Sequence, residues 1–441
     1  MTAESIQSID DMGMSPFLKR VTIFSSGGPF LEGYVLAIVG VALVPIAEEL
    51  KIDSWWSGMI GVASLIGLMF GATLGGWLTD LVGRKKMFVL DVLIIILLSV
   101  LCMFITSPHQ LFVLRLLLGV AVGADYPIAT SMIIEFTPLR YRAISMGFIA
   151  AVWYLGANVA YLAGYFFVET PNGWRWMLGS SVIPCVIILF GRWFIPESPR
   201  WLMSKGRVEE SEAIVHQFYG QNIVLGDEPI EKTKVSKIFQ GTYVKRILFV
   251  GVIWLCQAIP MYAIYTYGPV ILTKLGLGEG RPSLIGEMII GTFFLIGTIP
   301  AMFLAEWWGR RPLIIYTFLG MTIAMAALSM LPSPSFVTIF ICFGLYALLA
   351  GGPGNLQWLY PNELFPTDVR GTAMGFAMAF SRIGTVVSIY VLPSFLEMYG
   401  SQAMMMAAAI ISAVGLAVSI VWAPETKGLT LAQTSAKEFR G

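Results

Sequence analysis

Three polar signatures occur twice in this chain, in one order and at nearly one offset, which restricts its folds to those built from two copies of a single unit. The stretch Glu135-Phe-Thr-Pro138-Leu-Arg-Tyr-Arg142 returns 228 residues later as Glu363-Leu-Phe-Pro366-Thr-Asp-Val-Arg370, and both copies run on to a glycine, Gly147 and Gly375. Asp80-x-x-Gly83-Arg84-Lys85 returns as Glu306-x-x-Gly309-Arg310-Arg311, offset by 226. Pro196-Glu197-Ser198-Pro199-Arg200 returns as Pro424-Glu425-Thr426-Lys427-Gly428, again offset by 228. Chance does not keep three signatures in order over half a chain.

The segments between these signatures are apolar. Hydrophobic residues make up 57% of the 441 and charged residues 12%, against about a quarter charged in ordinary soluble domains. Long apolar runs separated by short charged clusters have the length of helices that cross a bilayer, about 20 residues each. Twelve are expected, at 22–46, 57–79, 87–106, 110–134, 144–168, 175–195, 247–273, 283–305, 312–331, 336–361, 372–396 and 402–423. No soluble helical core hides twelve such runs. The expected fold class is an all-α integral membrane protein whose twelve transmembrane helices form two pseudo-symmetric six-helix bundles. Residues 1–196 are the N-terminal bundle, 197–245 a cytoplasmic linker loop, and 246–441 the C-terminal bundle with a short cytoplasmic tail. Within the linker, Val208 to Tyr219 reads as a short surface helix that Gly220 would stop.

The net charge of +1 is uninformative, but its distribution is not. With both termini inside, about 21 of the 28 Lys and Arg residues lie on the inner segments and four outside, at Lys51, Arg175, Lys274 and Arg281. This asymmetry orients the chain with cytoplasmic termini in the cell inner (plasma) membrane. The first 21 residues are polar and acidic and lack a signal-peptide pattern. Cys102, Cys185, Cys256 and Cys342 stand singly in apolar runs, without metal or redox spacing. His109 and His216 lie near a span end and in the linker. The chain has no phosphate-cradling loop, no metal-ligand cluster and no nucleophile–base pair, so neither an enzyme nor a resident cofactor is expected. The expected partners are the lipid bilayer, a small-molecule substrate and protons; no nucleic acid is expected, and the sequence leaves the oligomeric state open.

The motifs reach a known family. Gly76-Trp-Leu-Thr-Asp80-Leu-Val-Gly83-Arg84-Lys85-Lys86 resembles the loop between helices two and three of the major facilitator superfamily. The duplicated E-x-x-P-x-x-x-R and the two closing motifs resemble its sugar-porter branch. Gln257-Ala-Ile-Pro260-Met-Tyr262-Ala-Ile-Tyr265-Thr266-Tyr267-Gly-Pro269 is similar to that branch's helix seven, with Tyr262 where sugar porters carry an asparagine. Gly352-Pro353-Gly354-Asn355-Leu-Gln357-Trp358 is similar to its helix ten. Gly123-Ala-Asp125-Tyr126-Pro127 is closer to phosphate–proton symporters, and Ser381-Arg382-Ile383-Gly384 to organic-anion, aromatic-acid and niacin-type carriers. The resemblance implies a secondary transporter working by alternating access.

Roles follow for particular residues. Asp80, Arg84, Glu135, Arg142, Glu197, Glu306, Arg310, Glu363, Arg370 and Glu425 are expected to form a gating network at the cytoplasmic helix ends, with Glu135 facing Arg142 and Glu363 facing Arg370. Ionisable residues inside apolar runs are functional candidates by default. Asp125 and Glu32 are the proton-coupling candidates; each could instead be paired permanently with an arginine, Arg382 among them. Arg382, a fixed cation suited to a carboxylate, joins Gln257, Tyr262, Asn355, Gln357, Trp358, Tyr154 and Asn158 as substrate-binding candidates. Glu287 is expected at the membrane interface, and Arg192 near enough to the cytoplasm to extend to it. A proton-coupled symporter of an organic acid or similar anionic metabolite is the first reading. A monosaccharide or polyol porter, an inorganic-phosphate symporter and a non-transporting nutrient receptor are the alternatives.

Overall fold

The computed structural model of the chain describes residues 7–8, 12–220, 223–224, 241–277, 280–331, 334–365 and 367–427. In the first half these form α1 (Pro16–Ser25), α2 (Gly27–Leu50), α3 (Ser54–Val82), α4 (Arg84–Cys102), α5 (Pro108–Phe136), α6 (Leu139–Phe167), α7 (Gly173–Gly179) and α8 (Val182–Trp193). Two short linker helices follow, α9 (Pro199–Ser204) and α10 (Val208–Phe218). The second half contains α11 (Gly241–Leu272), α12 (Arg281–Trp307), α13 (Arg310–Ser329), α14 (Phe336–Leu364) and α15 (Thr367–Trp422). A two-residue parallel bridge, Gln7–Ser8 with Ile223–Val224, is the strand pairing among the described residues.

Among the described residues, ten helical stretches are long and apolar enough to cross a membrane. Arg84–Cys102, one residue shorter than the shortest of these, carries Arg84, Lys85, Lys86 and Asp91. The stretch Phe376–Trp422 is one of the ten, yet its backbone turns at Gly400 (φ 77°), which divides it in two. Counting these two features gives the twelve expected spans. Serine followed by proline starts several helices: Ser15, Ser107 and Ser198 each accept a bond from a backbone N–H of the first turn, with proline next in the chain. The linker helix expected at Val208–Tyr219 is α10, and Gly220 beyond it is left-handed (φ 118°). There Arg207 bonds Glu210 and holds its carboxyl below the usual range, while burial pushes the Tyr219 phenol well up, its hydroxyl donating to the Phe136 carbonyl at 2.7 Å.

The chain divides into two compact units that do not follow the midpoint of the sequence. The first contains Met1–Val35, Ala63–Gly156 and Leu178–Ile230. Its core is built from α1, α4 and α5 with the linker helix α10, around Leu18, Val21, Phe88, Met132 and Phe136. The second contains Leu36–Val62 and Ala157–Met177 together with Glu231–Gly441. Within it, first-half helix ends pack on second-half helices. Tyr267 of α11 donates to the Ser57 carbonyl at 3.1 Å, Tyr161 of α6 donates to the Tyr265 carbonyl at 3.1 Å, and Arg281 pairs with Glu169 at 3.1 Å.

Candidate functional site

The duplicated signatures build the same ionic cluster twice, once in each unit. In the first, Arg84 opens α4, pairs with Glu135 at 3.2 Å and donates to the Thr79 carbonyl at 3.1 Å; Glu197 accepts from the Lys85 N–H at 3.1 Å. In the second, Arg310 opens α13, pairs with Glu363 at 2.8 Å and donates to the Ala305 carbonyl at 3.0 Å; Glu425 accepts from the Arg310 and Arg311 N–H groups, each at 3.1 Å. Each closing-motif glutamate thus sits on the positive end of a helix, where free N–H groups favour an anion. Arg310 also reaches Glu306 at 2.8 Å. Glu135 and Glu363 therefore take Arg84 and Arg310 as partners. The side chains of Asp80, Arg142 and Arg370 lie outside the described residues.

A glycine makes each of these caps possible. Gly83 (φ 117°) and Gly309 (φ 99°) have backbone angles that side chains rarely tolerate. A Cβ at Gly83 would stand 2.5 Å from Glu197 Oε2, and one at Gly309 2.4 Å from Glu425 Oε2. Gly83→Ala and Gly309→Ala are each expected to lower stability by about 1–3 kcal/mol through strain and displacement of the cap. Thermal melting measures that loss; unchanged melting in both would show that the caps hold nothing.

The second cluster lies inside the first unit and is fully buried. Arg192 of α8 forms a two-pronged pair with Asp125 of α5, at 2.7 and 2.8 Å, and its Nη1 reaches Asp91 of α4 at 3.2 Å. Its Nε donates to the Phe24 carbonyl and the same Nη1 to the Phe88 carbonyl, both at 3.1 Å, and its guanidinium lies over the Phe88 ring at 3.8 Å. Asp91 also accepts from the Val92 N–H at 2.7 Å. Gly28 makes room, since a Cβ there would overlap Asp125 Oδ2 at 1.2 Å. Two carboxyl groups against one guanidinium leave one negative charge in excess in a place without solvent, unless a proton is held there.

This arrangement changes three expectations. Arg192 does not extend to the surface: it is 0% exposed, because two acids from neighbouring helices hold it inside. The arginine paired with Asp125 is Arg192, not Arg382. Asp91, which sequence reading passed over, completes the cluster; the signal was available as an acid in an apolar run, the signal that marked Asp125. Glu32 is buried in α2 of the same unit. Tyr154, also in this unit, is buried with its ring edge-on to Trp153.

The other substrate candidates fall in the second unit. Arg382 of α15 lies over the Tyr262 ring of α11, 4.9 Å from its centre, and donates to the Tyr262 hydroxyl. Arg382 is 4% exposed. Gln257, one turn before Met261, donates its amide N–H to that sulfur at 3.2 Å. The amide oxygens of Gln257 and Gln357 are buried and accept no hydrogen bond among the described residues. Trp358 packs on Trp254 with ring centres 5.1 Å apart, and Asn355 donates to the Thr298 carbonyl at 2.8 Å. Asn158 lies against Gly291 of α12. Glu287 is 1% exposed, enclosed by α6, α11 and its own helix α12. Among the described residues, no group of three or more His, Cys, Asp or Glu side chains is placed to hold a metal ion.

Residues 21–437 match the family described as sugar (and other) transporter. The candidate metabolite transport protein YaaU of Escherichia coli (strain K12) is 48% identical over 435 residues, spanning 99% of this chain and 98% of that one. The inner membrane metabolite transport protein YgcS of the same organism is 35% identical over 426 residues, 96% of this chain and 95% of that one. The glucose transporter GlcP of Staphylococcus epidermidis is 30% identical over 427 residues, 93% and 95% of the two chains. Among solved structures, the xylose transporter XylE from E. coli, in a partially occluded inward-open conformation, aligns with a TM-score of 0.81 at 21% identity. That alignment covers 94% of this chain and 100% of XylE, and carries the all-helical fold.

Proposed function

Since this chain belongs to the sugar (and other) transporter family, we propose that it carries an organic acid or similar anionic metabolite together with protons, by alternating access. The chain is oriented with both termini cytoplasmic in the inner membrane. Residues 1–196 and 246–441 act as the two moving bundles, joined by the 197–245 linker. The two Arg–Glu clusters at Gly83 and Gly309 then lie on the cytoplasmic side, where breaking and remaking their contacts can accompany each change of access. The proposal rests above all on the buried Asp91–Asp125–Arg192 cluster. Its excess negative charge is relieved by one proton, so its state can follow which side water reaches.

The anionic character of the solute is inferred from Arg382 of α15, a nearly buried cation with planar donors held against Tyr262 of α11, the helix that also carries Gln257. A guanidinium held on an aromatic face is suited to receive a carboxylate from two donors at once. The Gln257 and Gln357 amide oxygens have acceptor capacity to spare for hydroxyl or amide donors on the solute. A sugar or polyol is the second reading. It is favoured by GlcP at 30% identity, named a glucose transporter, and by a related structure named the proton:xylose symporter XylE bound to 6-bromo-6-deoxy-D-glucose.

Uptake by the purified protein in sealed vesicles with an imposed proton gradient tests this reading. An electroneutral one-to-one cycle is expected to accumulate the acid by up to about ten-fold per pH unit, and a protonophore should remove that accumulation. Accumulation indifferent to the protonophore would remove the proton from the cycle. Uptake of sugars without any acid across a panel of both would establish the second reading.

A further inference from the structure

Glu287 lies in the membrane-spanning part of α12, far along the chain from the acids discussed above. It is 1% exposed, and its Oε2 accepts no hydrogen bond. The neighbouring helix approaches so closely that a Cβ at Gly268 would stand 2.0 Å from Glu287 Oε1. The titratable group beside it is the phenol of Tyr161, from α6, whose ring stacks on that of Tyr265, from α11, at 6.2 Å. Arg281 on its own helix is engaged with Glu169. No lysine, arginine, histidine or aspartate pairs with Glu287 among the described residues.

The hydrogen bonds around it depend on where one proton sits. The Tyr161 hydroxyl donates to the Tyr265 carbonyl at 3.1 Å. That carbonyl needs an outside donor, because the residue four positions on is Pro269, which has no N–H to complete the helix ladder. The same Tyr161 hydroxyl lies beside the Glu287 carboxyl. A phenol has one proton to give. With that proton on the Tyr265 carbonyl, any bond between Tyr161 and Glu287 requires a proton on the carboxyl. If Glu287 is ionised, its carboxylate takes the Tyr161 proton and strips the Tyr265 carbonyl, or remains charged and unpaired in an apolar surround.

We propose that Glu287 is a second proton-binding site, which when occupied clamps the first-half segment Ala157–Met177 onto α11 and α12. Protonation completes a chain from Glu287 through Tyr161 to the Tyr265 carbonyl across three helices. Release of the proton breaks the chain and loosens this packing on the side that carries Arg175 and Arg281, the expected external face. The inference deepens the proton-coupled transporter reading and rests on it. Its test requires neither substrate nor a gradient, so a failure here is distinct from a failure of the uptake experiment.

Hydrogen exchange of the full-length purified protein at pH 6 and pH 8, corrected for the intrinsic chemical rate, reads the clamp directly in Ala157–Met177 and Met261–Leu272. One linked proton changes a local opening ratio by up to about ten-fold per pH unit, so wild-type protection in these segments should fall about ten-fold or more between the two pH values. Glu287→Gln keeps a neutral donor in place and should hold protection at both. Tyr161→Phe removes the link, and its protection should be low and independent of pH. A wild-type slope that persists in Glu287→Gln overturns the proposal. If that variant does not fold, a wild-type slope in Tyr161→Phe overturns it alone, as does a wild-type protein without any slope.

Discussion

Arg192→Ala is expected to destabilise the empty protein by about 3–5 kcal/mol, the loss seen when a buried pair is broken from one side. The guanidinium is the shared partner of Asp125 and Asp91, and both acids are inaccessible to water. Removing it leaves two buried carboxyls, at least one of which must then be neutralised by a proton. Asp91→Asn and Asp125→Asn introduced together into Arg192→Ala should recover most of the stability, because nothing charged is left behind. Thermal melting of the wild type and these two variants in detergent reads this out, and an Arg192→Ala protein that melts like wild type would show that the cluster is not a closed ionic unit. Asp125→Asn alone separates stability from function. The amide keeps the shape of the carboxyl but cannot exchange charge, so gradient-driven accumulation should be lost while counterflow exchange of labelled solute persists. Normal accumulation in this variant would move the coupling proton elsewhere.

The two halves were legible because each signature residue acts near its own helix end. Arg84 bonds the Thr79 carbonyl five residues back, and Arg310 the Ala305 carbonyl at the same spacing, so an offset of 226 in sequence becomes one geometry built twice. The capping glutamates follow from the same local logic: a carboxylate is favoured where α4 and α13 present unbonded N–H groups. Partner choice inside the membrane follows no such rule. Asp125 and Arg192 are 67 residues apart and Asp91 and Arg192 are 101 apart, so their meeting depends on how three helices are packed. Position within an apolar run was also a poor guide to depth. Arg192 and Glu287, each toward one end of its run, are as enclosed as Asp125 near the middle of its own. Hydropathy records how far a residue lies along a helix, whereas burial depends on which face the neighbouring helix covers. At Gly28 and Gly268 the absence of a side chain lets an acid come close, a pattern recognisable only once the helices are paired.

Arg382 decides the class of solute. If it receives a carboxylate, Arg382→Lys should weaken acid binding about ten-fold, since an ammonium supplies the charge but not the paired planar donors. Arg382→Ala should weaken it about a hundred-fold, the scale of a lost charge-assisted contact of about 3 kcal/mol. A neutral sugar, offered to the same proteins, should respond to neither change. The position of the guanidinium adds an independent handle. It is held by the Tyr262 hydroxyl and lies over that ring. Tyr262→Phe keeps the ring and removes the hydrogen bond, so it should weaken acid binding by less than Arg382→Lys does and leave the melting temperature of the empty protein nearly unchanged. A guanidinium retained only to hold α11 against α15 gives the opposite pattern. Arg382→Ala would then lower the melting temperature of the empty protein and leave the affinity of the folded fraction intact. Calorimetric affinity for an acid that the uptake panel identifies, set beside melting of the unliganded variants, separates the two roles. Unaltered acid affinity in both Arg382 variants would sink the anion-binding role, and the spare amide acceptors at Gln257 and Gln357 would then favour a polyhydroxylated neutral solute.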